Sequence, residues 1–96
     1  MPTYVIYVDW TDQGLKNAAE TVQRAEVFKG LLEKEGGKLR EFLWTNGQHD
    51  IVVVCDAPDD ETVSVIGLKT ARLGNVRVCT QRAYGFQEMS KIVKRL

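Results

Sequence analysis

The fold of this chain is decided by one stretch, KLREFLWTNGQHDIVVVC, which runs from Lys38 to Cys55. Residues 38–45 and 51–55 are rich in β-branched and aromatic side chains, as strands are. Between them lies Asn46-Gly47-Gln48-His49-Asp50. Asn-Gly is a strong hairpin signal, because Gly adopts positive φ freely and Asn tolerates it better than most residues. The stretch therefore predicts a β-hairpin in the middle of the chain.

Upstream of the hairpin, the pattern predicts one strand and a long helical segment. Tyr4–Trp10 is the strand, and Thr11–Gly14 is a turn where a helix starts, with Thr11 or Asp12 as its cap. The helical pattern continues to Glu35 and ends at Gly36-Gly37. Thr21 could cap a second helix start, so a break there is expected. One apolar stripe has the spacing of a helix face: Ala18, Val22, Ala25, Phe28 and Leu32.

Downstream of the hairpin, Ala57-Pro58-Asp59-Asp60 opens a second helix that should end near Gly74-Asn75. Val76–Ala83 alternates as a fourth strand, and a C-terminal helix follows with an apolar face of Met89, Ile92, Val93 and Leu96. The order β-α-β-β-α-β is the ferredoxin-like arrangement. We therefore expect a single α+β domain over residues 1–96, with an antiparallel sheet in the order 4-1-3-2.

The two strands expected at the centre of this sheet, Val5–Val8 and Ile51–Val54, are apolar on both faces. Such a strand is normally buried on both sides, yet two helices cover only one face. A second subunit's sheet would supply the missing cover and give a dimeric α+β barrel. The alternative is that the C-terminal helix packs against the second face and covers it.

Composition limits the partners. The chain has 96 residues and equal numbers of basic and acidic side chains, 13 of each. Zero net charge argues against nucleic acid or an anionic membrane as the main partner. No apolar run reaches the ~20 residues of a membrane span, and no signal peptide precedes the first strand. Cys55 and Cys79 lie in strand-like runs, so we expect reduced core cysteines in a cytoplasmic protein.

Short motifs along almost the whole chain are similar to those of the GYD-domain family. They are Thr3-Tyr4-Val5, Trp10-Thr11-Asp12-Gln13-Gly14, Gly36-Gly37-Lys38-Leu39, Gly47-Gln48-His49-Asp50, Ala57-Pro58-Asp59-Asp60 and Leu73-Gly74-Asn75-Val76-Arg77. Gly47 and Asp50 match the family's Gly-Tyr-Asp signature, whereas His49 stands where its tyrosine is expected. The resemblance implies a ferredoxin-like fold of the dimeric α+β-barrel kind. It implies no established reaction.

His49 is the only histidine and is followed by Asp50, so the two are candidate catalytic residues. His49 would accept a proton near neutral pH and a carboxylate would orient it. The alternative, which we favour, is an exposed hairpin histidine with Asp50 in a local turn hydrogen bond. Neighbouring strand residues point to opposite faces, which separates the two side chains. One histidine without clustered ligands predicts no metal site, and we expect no cofactor.

The second candidate site is an aromatic and arginine face. Arg40, Phe42 and Trp44 alternate along one strand, so we expect them on one face, lining the space between the sheets of a dimer. With Tyr7 and Trp10 they could hold a small aromatic or quinone-like ligand. The alternative is that these aromatic side chains fill the core and the subunit interface.

Two classes of function are consistent with these patterns. The first is a homo-oligomeric module that binds a small apolar or aromatic ligand or regulates another process. The second is a cofactor-independent oxygenase or isomerase, an analogy from the fold alone. An enzyme would need a water-excluding pocket containing a group with a shifted pKa. RNA binding is disfavoured, because the third strand lacks an aromatic residue, and no glycine-rich phosphate loop is present.

Overall fold

The computed structural model describes residues 1–96 and contains four strands and four α-helices, with a short 3-10 turn at Ala18–Glu20 before the second helix. The elements in chain order are β1 Thr3–Trp10, α1 Asp12–Lys16, α2 Thr21–Lys34, β2 Lys38–Trp44, β3 Ile51–Asp56, α3 Asp60–Ala71, β4 Val76–Ala83 and α4 Phe86–Val93. None of the helices combines the length and the apolar character that crossing a membrane requires.

The four strands form one antiparallel sheet in the order β2-β3-β1-β4. Read from the other edge, this order is 4-1-3-2. The two most apolar strands, β1 and β3, are therefore the central ones, and the strands with interleaved charges form the edges. Together with the helix order, the sheet confirms the α+β, ferredoxin-like class.

Helices α2 and α3 cover one face of the sheet, which we call the helix face. Alternate residues of the central strands point into this layer, as the pleat requires. The buried core consists of Tyr4, Ile6, Val8, Phe28, Leu32, Ile51, Val53, Cys55, Ala57, Val63, Ile66 and Val76. It lies entirely between the helices and the sheet.

The opposite face, which we call the open face, carries the remaining residues of the central strands. Val5, Tyr7, Val52 and Val54 are only partly buried there. Helix α4 contributes no buried residue to the molecule. It therefore does not cover the sheet in the single chain, and the apolar centre of the open face is partly exposed to solvent.

The hairpin forms where the sequence predicts it, but its loop does not use the positive φ that makes Asn-Gly a hairpin signal. Thr45 N–H donates to the Asp50 carbonyl at 2.9 Å, which closes a loop of four residues. No residue of this loop has positive φ, so the conformational freedom of Gly47 is not used. The two glycines with positive φ are Gly36 and Gly74, which follow α2 and α3. Both helix ends were predicted from these glycines.

The predicted helical break before Thr21 is present, since α2 begins at that residue. The Thr21 side chain is not its cap, however, and instead accepts a hydrogen bond from Trp44. The predicted stripe is also shifted: Val22 is 61% exposed, whereas Leu31 packs against the core. At about 100° per residue, Val22 lies about 80° around α2 from Leu32, which places it at the edge of the buried face. Cys79 is exposed rather than buried, and both cysteines are free.

Candidate functional site

A mainly apolar cavity of about 400 Å³ lies between the helix face of the sheet, α2 and α3. Its floor is made by inward-pointing side chains of the strands, among them Ile6, Val8, Ile51 and Val53. Twelve of its 18 lining residues are hydrophobic. Ligand pockets in proteins are typically about 300–1,000 Å³ and mostly apolar, so this space has the size and character of a small-molecule site.

Aromatic side chains extend from the cavity to its edge. Phe28 of α2 and Phe42 of β2 both line the cavity and meet edge to face, with ring centroids 6.0 Å apart. Trp44 lies 4.9 Å from Phe42, and its Nε1 donates to Thr21 Oγ1 at 3.0 Å. Phe42 and Trp44 oppose Val53 and Ile51 in the sheet, which places both on the helix face.

This placement corrects the prediction that Arg40, Phe42 and Trp44 share the side facing a second sheet. The pairing of β2 with β3 shifts between Leu39 and Glu41, a β-bulge that breaks the alternation next to Arg40. Arg40 is outside the cavity lining, and its Nε donates to Asp56 Oδ2 at 2.9 Å. The structure therefore separates the arginine from the two rings.

Five polar side chains line the cavity: Glu20, Thr21, Arg24, Thr70 and Asn75. Thr70 donates its hydroxyl to the Ile66 carbonyl within α3, at 2.8 Å. The guanidinium of Arg24 donates to two carbonyls near α1, those of Asn17 at 2.8 Å and Gly14 at 3.4 Å. The cavity thus has an apolar body and a single cation in its wall.

His49 and its neighbours form a second cluster, away from the cavity. Its ring stacks on Tyr7 with centroids 4.5 Å apart and planes 3° apart, and its Nδ1 lies 3.3 Å from both carboxylate oxygens of Asp9. The Asp50 carboxylate makes no hydrogen bond to His49, and its Oδ2 accepts from the Trp10 backbone N–H at 2.9 Å. The structure therefore corrects the predicted partner, because the carboxylate beside His49 is Asp9 of β1, and the Asp50 carboxylate binds the Trp10 backbone rather than a group in the loop.

Tyr7 lies on the open face beside His49, and Trp10 packs against the helix-side core, so the two fall on opposite faces of β1. The Trp10 indole Nε1 is buried without a hydrogen-bond partner. Neither residue lines the cavity. The structure thus divides the five predicted ligand residues among several locations, and only Phe42 lies in the cavity wall.

Sequence reasoning missed most of the cavity wall. Arg24, Thr70 and Asn75 were not singled out, although Arg24 lies one residue before Ala25 on the predicted apolar stripe. The sequence contained one signal for Arg24, namely that a charged residue lies beside the apolar stripe and close to a helix start. Thr70 and Asn75 reach the cavity wall because of the way α3 and the turn after it pack against the sheet. A local sequence pattern does not indicate this packing.

Groups with shifted pKa values lie elsewhere. Burial raises the pKa of Tyr4 to about 12, helped by its hydrogen bond to the Asp60 carboxylate. Burial also raises the pKa of Cys55 to about 11. Neither side chain lines the cavity. No group of three or more His, Cys, Asp or Glu side chains is arranged to hold a metal ion.

The fold and the cavity define a small ferredoxin-like domain with a mainly apolar cavity between its helices and its sheet. The model of the GYD domain family matches residues 4–93, which is nearly the whole chain, and the protein belongs to this family. A search of curated proteins finds no match. The resemblance seen in the short motifs is confirmed, and the family assignment carries no named ligand or reaction.

Proposed function

We propose that this protein is a homo-oligomeric module that binds a small apolar ligand in the cavity between the helices and the sheet. The observation that carries the proposal is the cavity itself, about 400 Å³ in volume and lined mainly by hydrophobic side chains. Apolar walls with a few convergent polar groups are the usual construction of a small-molecule site. The aromatic rings of Phe28 and Phe42 suit an aromatic or aliphatic ligand body.

The charges in the wall favour binding over catalysis. Glu20 and Arg24 are its only ionisable lining residues, and they lie 4.0 Å apart on one side of the wall. A proton-transfer enzyme usually positions a group with a shifted pKa at its substrate. The side chains whose pKa is raised by burial, Tyr4 and Cys55, lie outside the cavity lining, so a regulatory or carrier role fits it better.

A cofactor-independent oxygenase or isomerase is the second candidate function, and one arrangement favours it. In the tautomer that carries its proton on Nδ1, His49 donates to the Asp9 carboxylate and presents Nε2 as an acceptor for a substrate proton. Because Tyr7 and His49 stack on the open face, a substrate there would need a second subunit to exclude water. Catalysis would then use a different site from the cavity.

A direct test is the binding of Nile red, a neutral apolar dye, followed by its fluorescence. We expect saturable binding of one dye per chain to the wild type. Ala25 lines the cavity, so Ala25→Phe should fill it and weaken binding by at least about tenfold. Ala19 is exposed and outside the lining, so Ala19→Phe is the matched control and should bind as the wild type does. Absence of saturable binding, or equal binding by both folded variants, would contradict the proposal.

A further inference from the structure

Arg24 is the one cation in the cavity wall, and its surroundings hold it in place. It lies on the first turns of α2, and its side chain is only 22% exposed. The carbonyls of Asn17 and Gly14 accept hydrogen bonds from the two terminal guanidinium nitrogens, Nη1 and Nη2. Two fixed acceptors on one planar group restrict its rotation, so little entropy would be lost if it bound a further acceptor.

The guanidinium retains donors for a ligand. It carries five N–H groups, and the two carbonyls occupy two of them. Its one carboxylate neighbour is Glu20, whose closest oxygen is 4.0 Å from Nη1 and whose side chain is 66% exposed. An ion pair at this separation with an exposed carboxylate contributes little, and the carboxylate can move away without a large cost. The positive charge of Arg24 is therefore only weakly neutralised.

We propose that the ligand of the cavity is an apolar monocarboxylic acid whose carboxylate binds Arg24, an inference that rests on the proposed function. Carboxylates match the planar donor pattern of a guanidinium. The rest of the wall is neutral except for Glu20, so a dianion such as a phosphate monoester would keep an uncompensated charge and be repelled by that carboxylate. The hydrophobic residues beyond Arg24 would enclose the acid's chain or ring.

The experiment compares decanoic acid with decanol as competitors of bound Nile red near neutral pH, where the acid is ionised. The two share a chain and differ in the head group. We expect the acid to bind the wild type at least about tenfold more tightly than the alcohol. Arg24→Gln should lower the affinity for decanoic acid to that for decanol, and the affinity for decanol should not change. Glu20→Gln should increase the affinity for decanoic acid several-fold, because it removes a carboxylate that competes for Arg24. The affinity for decanol should not change.

The outcomes separate this inference from the proposed function. If neither the dye nor either competitor binds the wild type, the proposed function fails, and this inference fails with it. If the dye binds but acid and alcohol compete equally, the cavity binds ligands and the carboxylate inference is overturned. Should Arg24→Gln not fold, as circular dichroism would show, the acid-to-alcohol ratio and the Glu20→Gln variant still decide the question.

Discussion

Tyr4 links the sheet to the helix layer through a single polar contact. Its ring is buried in the core, and its hydroxyl donates to Asp60 Oδ1, in the first turn of α3, at 2.5 Å. Burial is the largest cause that raises its pKa, followed by the hydrogen bond to Asp60 and the charge of that carboxylate. All three favour the neutral phenol, which alone can donate this bond.

Tyr4→Phe should lower the free energy of unfolding by about 1 kcal/mol near neutral pH, since one hydrogen bond to a carboxylate is lost. The folded pKa of Tyr4 is about 12 and its ordinary value is 10.0, so the unfolded chain loses this proton first as pH rises. The stabilisation is therefore complete below about pH 10 and declines toward pH 12. Urea unfolding of both proteins across this range measures it.

Tyr7→Phe is the control for that measurement, because the Tyr7 side chain makes no hydrogen bond in the structure and lies on the other face of β1. It removes one of the same three tyrosines without removing a contact to α3. A stability difference between wild type and Tyr4→Phe that stays constant up to about pH 12 would show that Asp60 and burial do not hold the phenol neutral.

For single residues, the sequence indicated which side chains could take part in proton transfer or binding. It did not indicate which of them lie next to each other in the fold. His49 was singled out as the only histidine, and its separation from Asp50 followed from strand geometry. Its actual partners, Asp9 and Tyr7, come from β1, about 40 residues earlier in the chain. Such a pairing depends on how β1 aligns with the hairpin, and nothing local in the sequence specifies that alignment.

Among the elements, α1 is fixed against the turn between α3 and β4. Thr11 N–H donates to the Asn75 carbonyl at 3.0 Å, and the Thr11 hydroxyl donates to the Gly74 carbonyl at 2.5 Å. Gly14 is buried at this junction, where an added Cβ would lie 1.9 Å from the Asn75 carbonyl oxygen. The absence of a side chain at Gly14 is what lets the two segments approach. Asn75 also lines the cavity, so the junction shapes one of its walls.

Gly14→Ala should therefore destabilise the protein by about 2–3 kcal/mol, because backbone must move to admit the methyl group. Gly30 provides the matched control. It lies in α2, and an added Cβ there would meet no atom within 4 Å. Gly30→Ala should stabilise by about 0.5–1 kcal/mol through helix propensity alone. Urea midpoints of the two variants should shift in opposite directions, and a shift of the same sign in both would contradict this account of the junction.

Most elements could be predicted because their signals are local: alternating strands, capping residues and the glycines that end α2 and α3. The bulge at Arg40 could not, since nothing in the alternation of Arg40, Phe42 and Trp44 marks an extra residue. That single irregularity separated the arginine from the rings. The strand rings were also assigned to the wrong face, because period-two alternation identifies two faces without saying which one the helices cover.

On the scale of the whole molecule, two apolar surfaces remain without a partner in the single chain. One is the open face of the sheet. The other is the apolar side of α4, where Met89, Ile92 and Val93 are 40–50% exposed. Only 15 of the 96 residues are buried. The radius of gyration is 14.2 Å, above the roughly 12.5 Å expected of a compact chain of this length. Association with another chain would bury much of this exposed apolar surface.

A second copy on the open face is the partner that we propose, because the cavity lies on the other side of the sheet and stays accessible when two sheets pack together. Sedimentation at micromolar concentration should give twice the 10.8 kDa chain mass. Val54→Glu places a carboxylate at the centre of the open face and should weaken the dimer at least about 100-fold, since a buried unpaired charge costs several kcal/mol. Val65→Glu makes the same change on an exposed position of α3 and should leave the dimer intact.

Circular dichroism of both variants establishes that the fold is retained, and Nile red titration of Val54→Glu separates assembly from binding. Because the cavity lining comes from one chain, the monomeric variant should still bind the dye with nearly wild-type affinity. A wild type that sediments as a monomer throughout the micromolar range would refute the dimer. So would a Val54→Glu variant that associates as strongly as Val65→Glu. In either case the apolar side of α4 would be the surface left to explain the low burial of the chain.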